Sequence, residues 1–163
     1  MNYHNILHDN MLNGDGLRVV LFVSGCSLRC HHCQNPQTWG EQSGIEFDED
    51  ARNEIFEELK KDYISGITLT GGHPLEHYNI DECTELCRDI KEMFPNRTIW
   101  LYTGYVFEKV QALEIFDYVD VCVDGPYIES LRNLELPWRG SANQRVIDVK
   151  NTKKLGKIVL HSC

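Results

Sequence analysis

The chain has 163 residues, 42% hydrophobic and 25% charged, with a formal net charge of −9. A chain of this length buries roughly 70% of the surface it exposes when unfolded, so it needs no staple to fold, and a single domain over residues 1–163 is expected. The acidic balance argues against a duplex-binding protein, no apolar run approaches the ~20 residues of a membrane span, and the opening "MNYHNILHDN" shows no signal peptide. A cytoplasmic protein that binds neither nucleic acid nor membrane is the expectation. In that compartment its seven cysteines would stay reduced, as ligands or core residues.

In chain order, "RVVLFVSG" (Arg18 to Gly25) is an apolar, β-branched run ended by Gly and reads as a buried strand. The stretch "CSLRCHHC" follows at once, which places three thiols in the loop after that strand. "FDEDARNEIFEELKKDY" carries Ile55, Phe56, Leu59 and Tyr63 at helical spacing, with acids early and lysines late as the helix dipole favours. "GITLTGG" is a second strand and turn. "NIDECTELCRDIKEMF" puts Ile80, Cys83, Leu86, Cys87, Ile90 and Phe94 on one helical face. "TIWLYTGY" is a third strand, "FEKVQALEIF" a shorter helix and "YVDVCVDGPY" a fourth strand. "QRVIDVK" and "KIVLHS" are possible final strands, and Lys150, Lys153, Lys154 and Lys157 read as solvating a turn.

Alternating strands and helices with short turns indicate a parallel sheet covered by helices. A closed eight-stranded barrel typically needs ~250 residues. The expected fold is therefore α/β, an open, partial β/α barrel of mostly parallel strands. Ligands in such sheets bind beyond the carboxyl ends of the strands. "GCSLRCHHC", "TGGHP", "TGY" and "DGPY" all fall there.

Cys26, Cys30 and Cys33 admit three readings. A structural zinc site wants four ligands, usually two separated C-x-x-C pairs, and no second pair exists, although a histidine could complete the set. A redox dithiol would use "CHHC" but leaves Cys26 without a role, and the residues after Cys33 read as loop rather than helix. A 4Fe–4S cluster held by three thiolates would leave one iron open to a ligand. Cys83, Cys87 and Cys122 lie on apolar faces and read as core residues. Cys163 reads as an incidental thiol.

The cysteine motif and its position resemble those of radical S-adenosylmethionine enzymes. More narrowly, the segments "NGDGLRVVLFVSGCSLRCHHCQNPQTW", "GITLTGGHPL", "IWLYTGY", "VDVCVDGPY" and "WRGSANQRVIDV" resemble the anaerobic ribonucleotide reductase activating proteins, over roughly Asn13 to Val149. The resemblance implies that Cys26, Cys30 and Cys33 ligate three irons and that the open iron binds the methionine part of S-adenosylmethionine. One electron then frees a 5′-deoxyadenosyl radical, with no catalytic group beyond cluster and cofactor. It further implies a protein substrate, an anaerobic ribonucleoside-triphosphate reductase that acquires a glycyl radical, and a low-potential electron donor.

By the same resemblance His32, Cys33 and Gln34 line the adenine pocket, Gly71, Gly72 and His73 meet the methionine ammonium, and Thr103 and Asp124 reach the carboxylate, ribose or ammonium. His73 stands where the family usually carries an acid. The imidazole accepts a hydrogen bond but brings no negative charge, and His73→Asp is expected to keep or tighten cofactor binding. Trp138, Arg139, Gly140, Asn143 and Arg145 are candidates for contact with the partner protein. His4, His8, His31, His77 and His161 carry no assigned role.

Overall fold

The computed structural model describes residues 1–162, so Cys163 lies outside the described residues. The elements are β1 (Asn2–Asn10), β2 (Leu17–Val23), β3 (Ile45–Glu46), α1 (Glu49–Leu59), β4 (Ile64–Gly71), α2 (Ile80–Met93), β5 (Thr98–Tyr102), α3 (Phe107–Val110), β6 (Val121–Asp124), β7 (Arg145–Asp148) and α4 (Val149–Leu155). The strands form one sheet in the order β3-β1-β2-β4-β5-β6-β7. The four central strands, β2, β4, β5 and β6, run parallel, as expected from their apolar runs. The flanking strands β1, β3 and β7 join antiparallel. The sheet is open, with edges at β3 and β7.

Strand periodicity of two divides the side chains between the faces. Val19, Leu21, Val23, Ile67, Leu69, Ile99, Leu101, Cys122 and Ile147 join α1 and α2 in the main core. Cys83, Cys87 and Cys122 are fully buried in that core, and burial pushes the Cys83 thiol up to about 12. The opposite parity places Arg18, Thr68, Trp100, Tyr102 and Val123 on the other face, where Trp138 covers a second apolar cluster of Trp100, Val121, Val123 and Val146. Arg18 is closed into this face without a carboxylate in contact among the described residues. Its guanidinium donates to Thr68 Oγ1, Thr98 Oγ1 and the carbonyls of Asp15, Ile67 and Thr98, and burial pushes it down to about 10.

Several elements depart from the sequence expectation. β1 has a single buried residue, Ile6, and two register shifts, so its strand pairing leaves no apolar alternation to read. "FEKVQALEIF" breaks into α3 and a separate 3₁₀ turn at Glu114–Asp117. The lysines at 150, 153 and 154 belong to a helix rather than a turn. Asp148 caps α4 by accepting from Asn151 N, Gly156 ends it at φ +69°, and Lys153 and Lys154 occupy its last turn. "KIVLHS" contributes an isolated bridge, Ile147 to Leu160, instead of a strand.

Candidate functional site

A cavity of about 510 Å³ opens at the carboxyl ends of β2, β4 and β5, and Cys26, Cys30 and Cys33 all line it. The cysteine loop leaves β2 at Ser24 and is fastened to a later segment at once, since Gly25 N donates to Thr38 O at 2.6 Å and Cys26 N to Trp39 O at 3.1 Å. Arg29 and His32 adopt left-handed backbone, φ +46° and +59°, which bends the chain tightly between the thiols. Cys33 N closes a turn onto Cys30 O at 3.1 Å. All three thiols are free and half-buried. Burial pushes the Cys26 thiol up, while the N–H groups of Leu28 and Arg29 pull it back. Asn35 N donates to Cys33 Sγ at 3.4 Å.

The "TGGHP" turn packs directly against this loop. Gly72 N donates to Val23 O and His73 N to Gly25 O, both at 2.8 Å. A Cβ on Gly71, which has φ +101°, would sit 2.6 Å from Phe22 Cα, and one on Gly72 would sit 2.6 Å from Gly25 O. These glycines are required first by the approach of two backbone segments, and this approach brings the turn beside the thiols. Asn79 holds the same junction by donating to Ser24 O at 2.9 Å and His73 O at 3.1 Å.

His73 lines the cavity yet is only 1% exposed. Its Nε2 lies 2.7 Å from Thr103 Oγ1 and its Nδ1 lies 3.4 Å from Glu76 Oε1. Burial lowers its pKa below the ordinary imidazole value, against the pull of Glu76. Glu76, which the sequence reading did not single out, accepts from Ser27 N and Ser27 Oγ, each at 2.7 Å. Burial alone would raise the Glu76 carboxyl, but these donors and His73 outweigh it and leave it below the usual range. The ligand atoms of Cys26, His73 and Glu76 all lie within 4.8 Å of one another. The signal for Glu76 was its spacing of three from His73. This geometry also revises the expectation for His73→Asp, because a second carboxylate there would face Glu76 inside a buried pocket, where like charges repel strongly.

Gln34, Gly71, Gly72, Thr103, Trp138, Arg139 and Gly140 line the cavity as well. His32 does not. It is exposed, with its ring edge-to-face on His31. Asp124 lies behind the wall, 1% exposed, and is held by Arg145 Nη2 at 2.5 Å and Nε at 3.1 Å and by Phe107 N at 2.8 Å. Arg145 also grips Glu108 at 2.6 Å, so Asp124 and Arg145 are committed to each other. Asn143 donates to Pro126 O at 2.7 Å and thereby ties the loop between β6 and β7 together. Arg139 lines the cavity with its Nε buried and without a hydrogen-bond partner among the described residues.

The donor set fits an iron–sulfur cluster. Three thiols share one wall, and no carboxylate lines that wall among the described residues. Comparison with known proteins agrees. The family described as a 4Fe-4S single cluster domain matches residues 12–147. The anaerobic ribonucleoside-triphosphate reductase-activating protein of Enterobacteria phage T4 is 46% identical over 146 residues, covering 90% of this chain and 93% of the relative. The protein of the same name from Escherichia coli K12 is 37% identical over 150 residues, covering 90% and 97%. That from Haemophilus influenzae is 36% identical over 148 residues, covering 88% and 96%. With this similarity running through the cysteine loop, the turn beside it and the sheet that carries both, the chain belongs to the family of anaerobic ribonucleoside-triphosphate reductase-activating proteins, with a 4Fe–4S domain at its centre.

Proposed function

We propose that this chain is a radical-generating activase, acting through a 4Fe–4S cluster and S-adenosylmethionine on a glycine of an anaerobic ribonucleoside-triphosphate reductase. The observation that carries the reading is the convergence of Cys26, Cys30 and Cys33 on one cavity at the carboxyl end of a parallel sheet. The three thiolates would hold three irons of the cluster and leave the fourth to the cofactor. When bound, the cluster and cofactor supply one-electron cleavage and hydrogen abstraction. The chain's own residues position and shield. Among the residues that line the cavity, Gly71, Gly72, His73 and Thr103 would border the methionine end and Cys33 and Gln34 the nucleoside end, and Arg139 is a cation in the wall suited to a carboxylate.

The sheet belongs, in this reading, to the partial β/α barrel of radical S-adenosylmethionine enzymes, built as one domain over the chain and working in the cytoplasm with a low-potential electron donor. No helix among the described residues is long and apolar enough to cross a membrane. The open sheet leaves a way in for a protein loop. Leu12 and Leu134 line the cavity mouth while 80% and 77% exposed, an apolar rim of the kind that partners cover. Transfer needs the reacting atoms about 3–3.5 Å apart, so the glycine must enter the cavity and displace water.

The test is anaerobic reconstitution with iron and sulfide, then reduction with S-adenosylmethionine and the reductase present. A glycyl doublet should appear on the reductase by electron paramagnetic resonance. Deuterium placed at the reductase glycine Cα should pass into 5′-deoxyadenosine. Zinc in place of iron after reconstitution, or no deuterium transfer with an intact reduced cluster, overturns the reading.

A further inference from the structure

We propose that Glu76, His73 and Thr103 form a carboxylate–imidazole–hydroxyl relay in which Glu76 supplies the negative charge and Thr103 Oγ1 presents it, as a hydrogen-bond acceptor, to the amino group of S-adenosylmethionine. The inference rests on the cofactor reading of the cavity given above.

Glu76 is a carboxylate only 6% exposed, and no lysine or arginine lies within ion-pair distance of it among the described residues. A buried charge without a cation is costly unless it is fully hydrogen-bonded or serves a ligand. Its donors are Ser27 N, Ser27 Oγ and His73. A carboxylate only accepts, so His73 Nδ1, which faces it at 3.4 Å, carries the hydrogen. That hydrogen bond is long and acts chiefly through charge. In the neutral ring Nε2 is then bare, and it lies 2.7 Å from Thr103 Oγ1. Thr103 Oγ1 already accepts from Tyr105 N at 3.1 Å, so its own hydrogen is free to go to Nε2. One lone pair of the hydroxyl remains. Each member makes the next a stronger acceptor, an effect that grows where water is excluded.

The cavity explains why such a relay is useful. Among the described residues its wall contains no aspartate or glutamate, and Arg139 is its one charged side chain. Apart from the three cysteines that would hold the cluster, a ligand bearing an ammonium and a sulfonium meets no anionic side chain on that surface. His73 and Thr103 line the cavity, whereas Glu76 stands behind them. The charge is therefore held one imidazole away from the ligand, while Ser27, next to Cys26, is anchored by the same carboxylate. Glu76 thus acts as a positioning residue through His73, and Thr103 makes the contact.

The experiment uses anaerobically reconstituted protein with the cluster left oxidised, so that the cofactor is bound but not consumed. S-adenosylmethionine and its analogue lacking the amino group are titrated calorimetrically, and iron per chain is measured alongside. Glu76→Gln and Thr103→Val should each weaken S-adenosylmethionine about tenfold, the size of one charge-assisted hydrogen bond, and leave the analogue within about twofold. Thr103→Ser should retain the parent affinity. His73→Asp combined with Glu76→Gln, which moves the charge to the wall, should recover most of it. Should Glu76→Gln fail to take up iron, Thr103→Val decides, because it leaves the bonds to Ser27 intact. Equal losses for both ligands, or no loss, overturn the relay while leaving the cofactor reading in place. A parent protein that takes up iron but binds neither ligand overturns the cofactor reading, and the relay falls with it.

Discussion

Cys26, Cys30 and Cys33 are half-buried on a cavity wall, whereas Cys83, Cys87 and Cys122 are sealed in the core. Alanine at any of the first three should reduce iron per chain and abolish cofactor cleavage. Alanine at Cys83, Cys87 or Cys122 should leave iron per chain unchanged and register only as a modest loss in unfolding midpoint. Loss of the cluster from a Cys83 or Cys87 variant with retention in Cys26→Ala would reverse the ligand assignment. Asp124 makes a different point at the same scale. Its carboxylate faces Arg145, Phe107 N and the backbone N–H of Arg145 rather than the cavity. Arg145→Ala leaves that buried charge uncompensated and should cost about 3–5 kcal/mol of stability, read from urea unfolding. Asp124→Asn together with Arg145→Ala should recover part of that loss, which a role in holding the cofactor would not predict.

Between elements, Asp120 is a clamp. It stands just before β6, accepts from Ile99 N of β5 at 2.8 Å, and pairs with Lys91 of α2 at 2.6 Å and Lys150 of α4 at 2.8 Å. Burial would raise its carboxyl, but the two lysines and the Ile99 N–H outweigh burial and hold it below the usual aspartate range. The sign of the linkage follows. The stabilisation is fully present above the unfolded value of about 3.9 and is lost as pH falls through the lower folded value. Asp120→Asn should therefore lower stability at neutral pH and flatten its dependence on pH below about 4, measured as urea midpoints across that range. An unchanged acid limb would place the effect elsewhere. The helix α2 that Lys91 belongs to is held by Leu86, Cys87 and Ile90, all closed to solvent. Leu86→Ala should cost about 2–5 kcal/mol.

At the scale of the whole molecule, the helices cover one face of the sheet, and loops from β1–β2 and β6–β7 reach the cavity on the other. In the proposed reading the reductase approaches from this side, the one without helices. Leu12 and Leu134 come from these two loops and stand exposed at the mouth. Leu12→Asp and Leu134→Asp should lower the glycyl radical yield on the reductase about tenfold or more, as expected when an apolar contact is replaced by a desolvated charge. Cofactor cleavage by the activase alone should be unaffected. A parallel fall in both would place these leucines in the cofactor site instead of the docking surface.

The central strands, the helices α1 and α2 and the cysteine loop are legible in the sequence because each is written locally: β-branched runs ended by glycine, a 3.6-residue apolar stripe, and three thiols within eight positions. It could not show β1, whose stability is in its pairing rather than its pattern, or the split of the segment around α3. The site divided in the same way. Cys26, Cys30, Cys33, Gly71, Gly72 and Thr103 sit where the motifs put them, since strand ends converge in any parallel sheet. That His32 faces outward, that Asp124 pairs with Arg145 and that Glu76 stands behind His73 emerges from the folded chain alone. Those outcomes depend on which group occupies the space beside a side chain, and distance between packed elements, unlike spacing along the chain, is set by the fold as a whole.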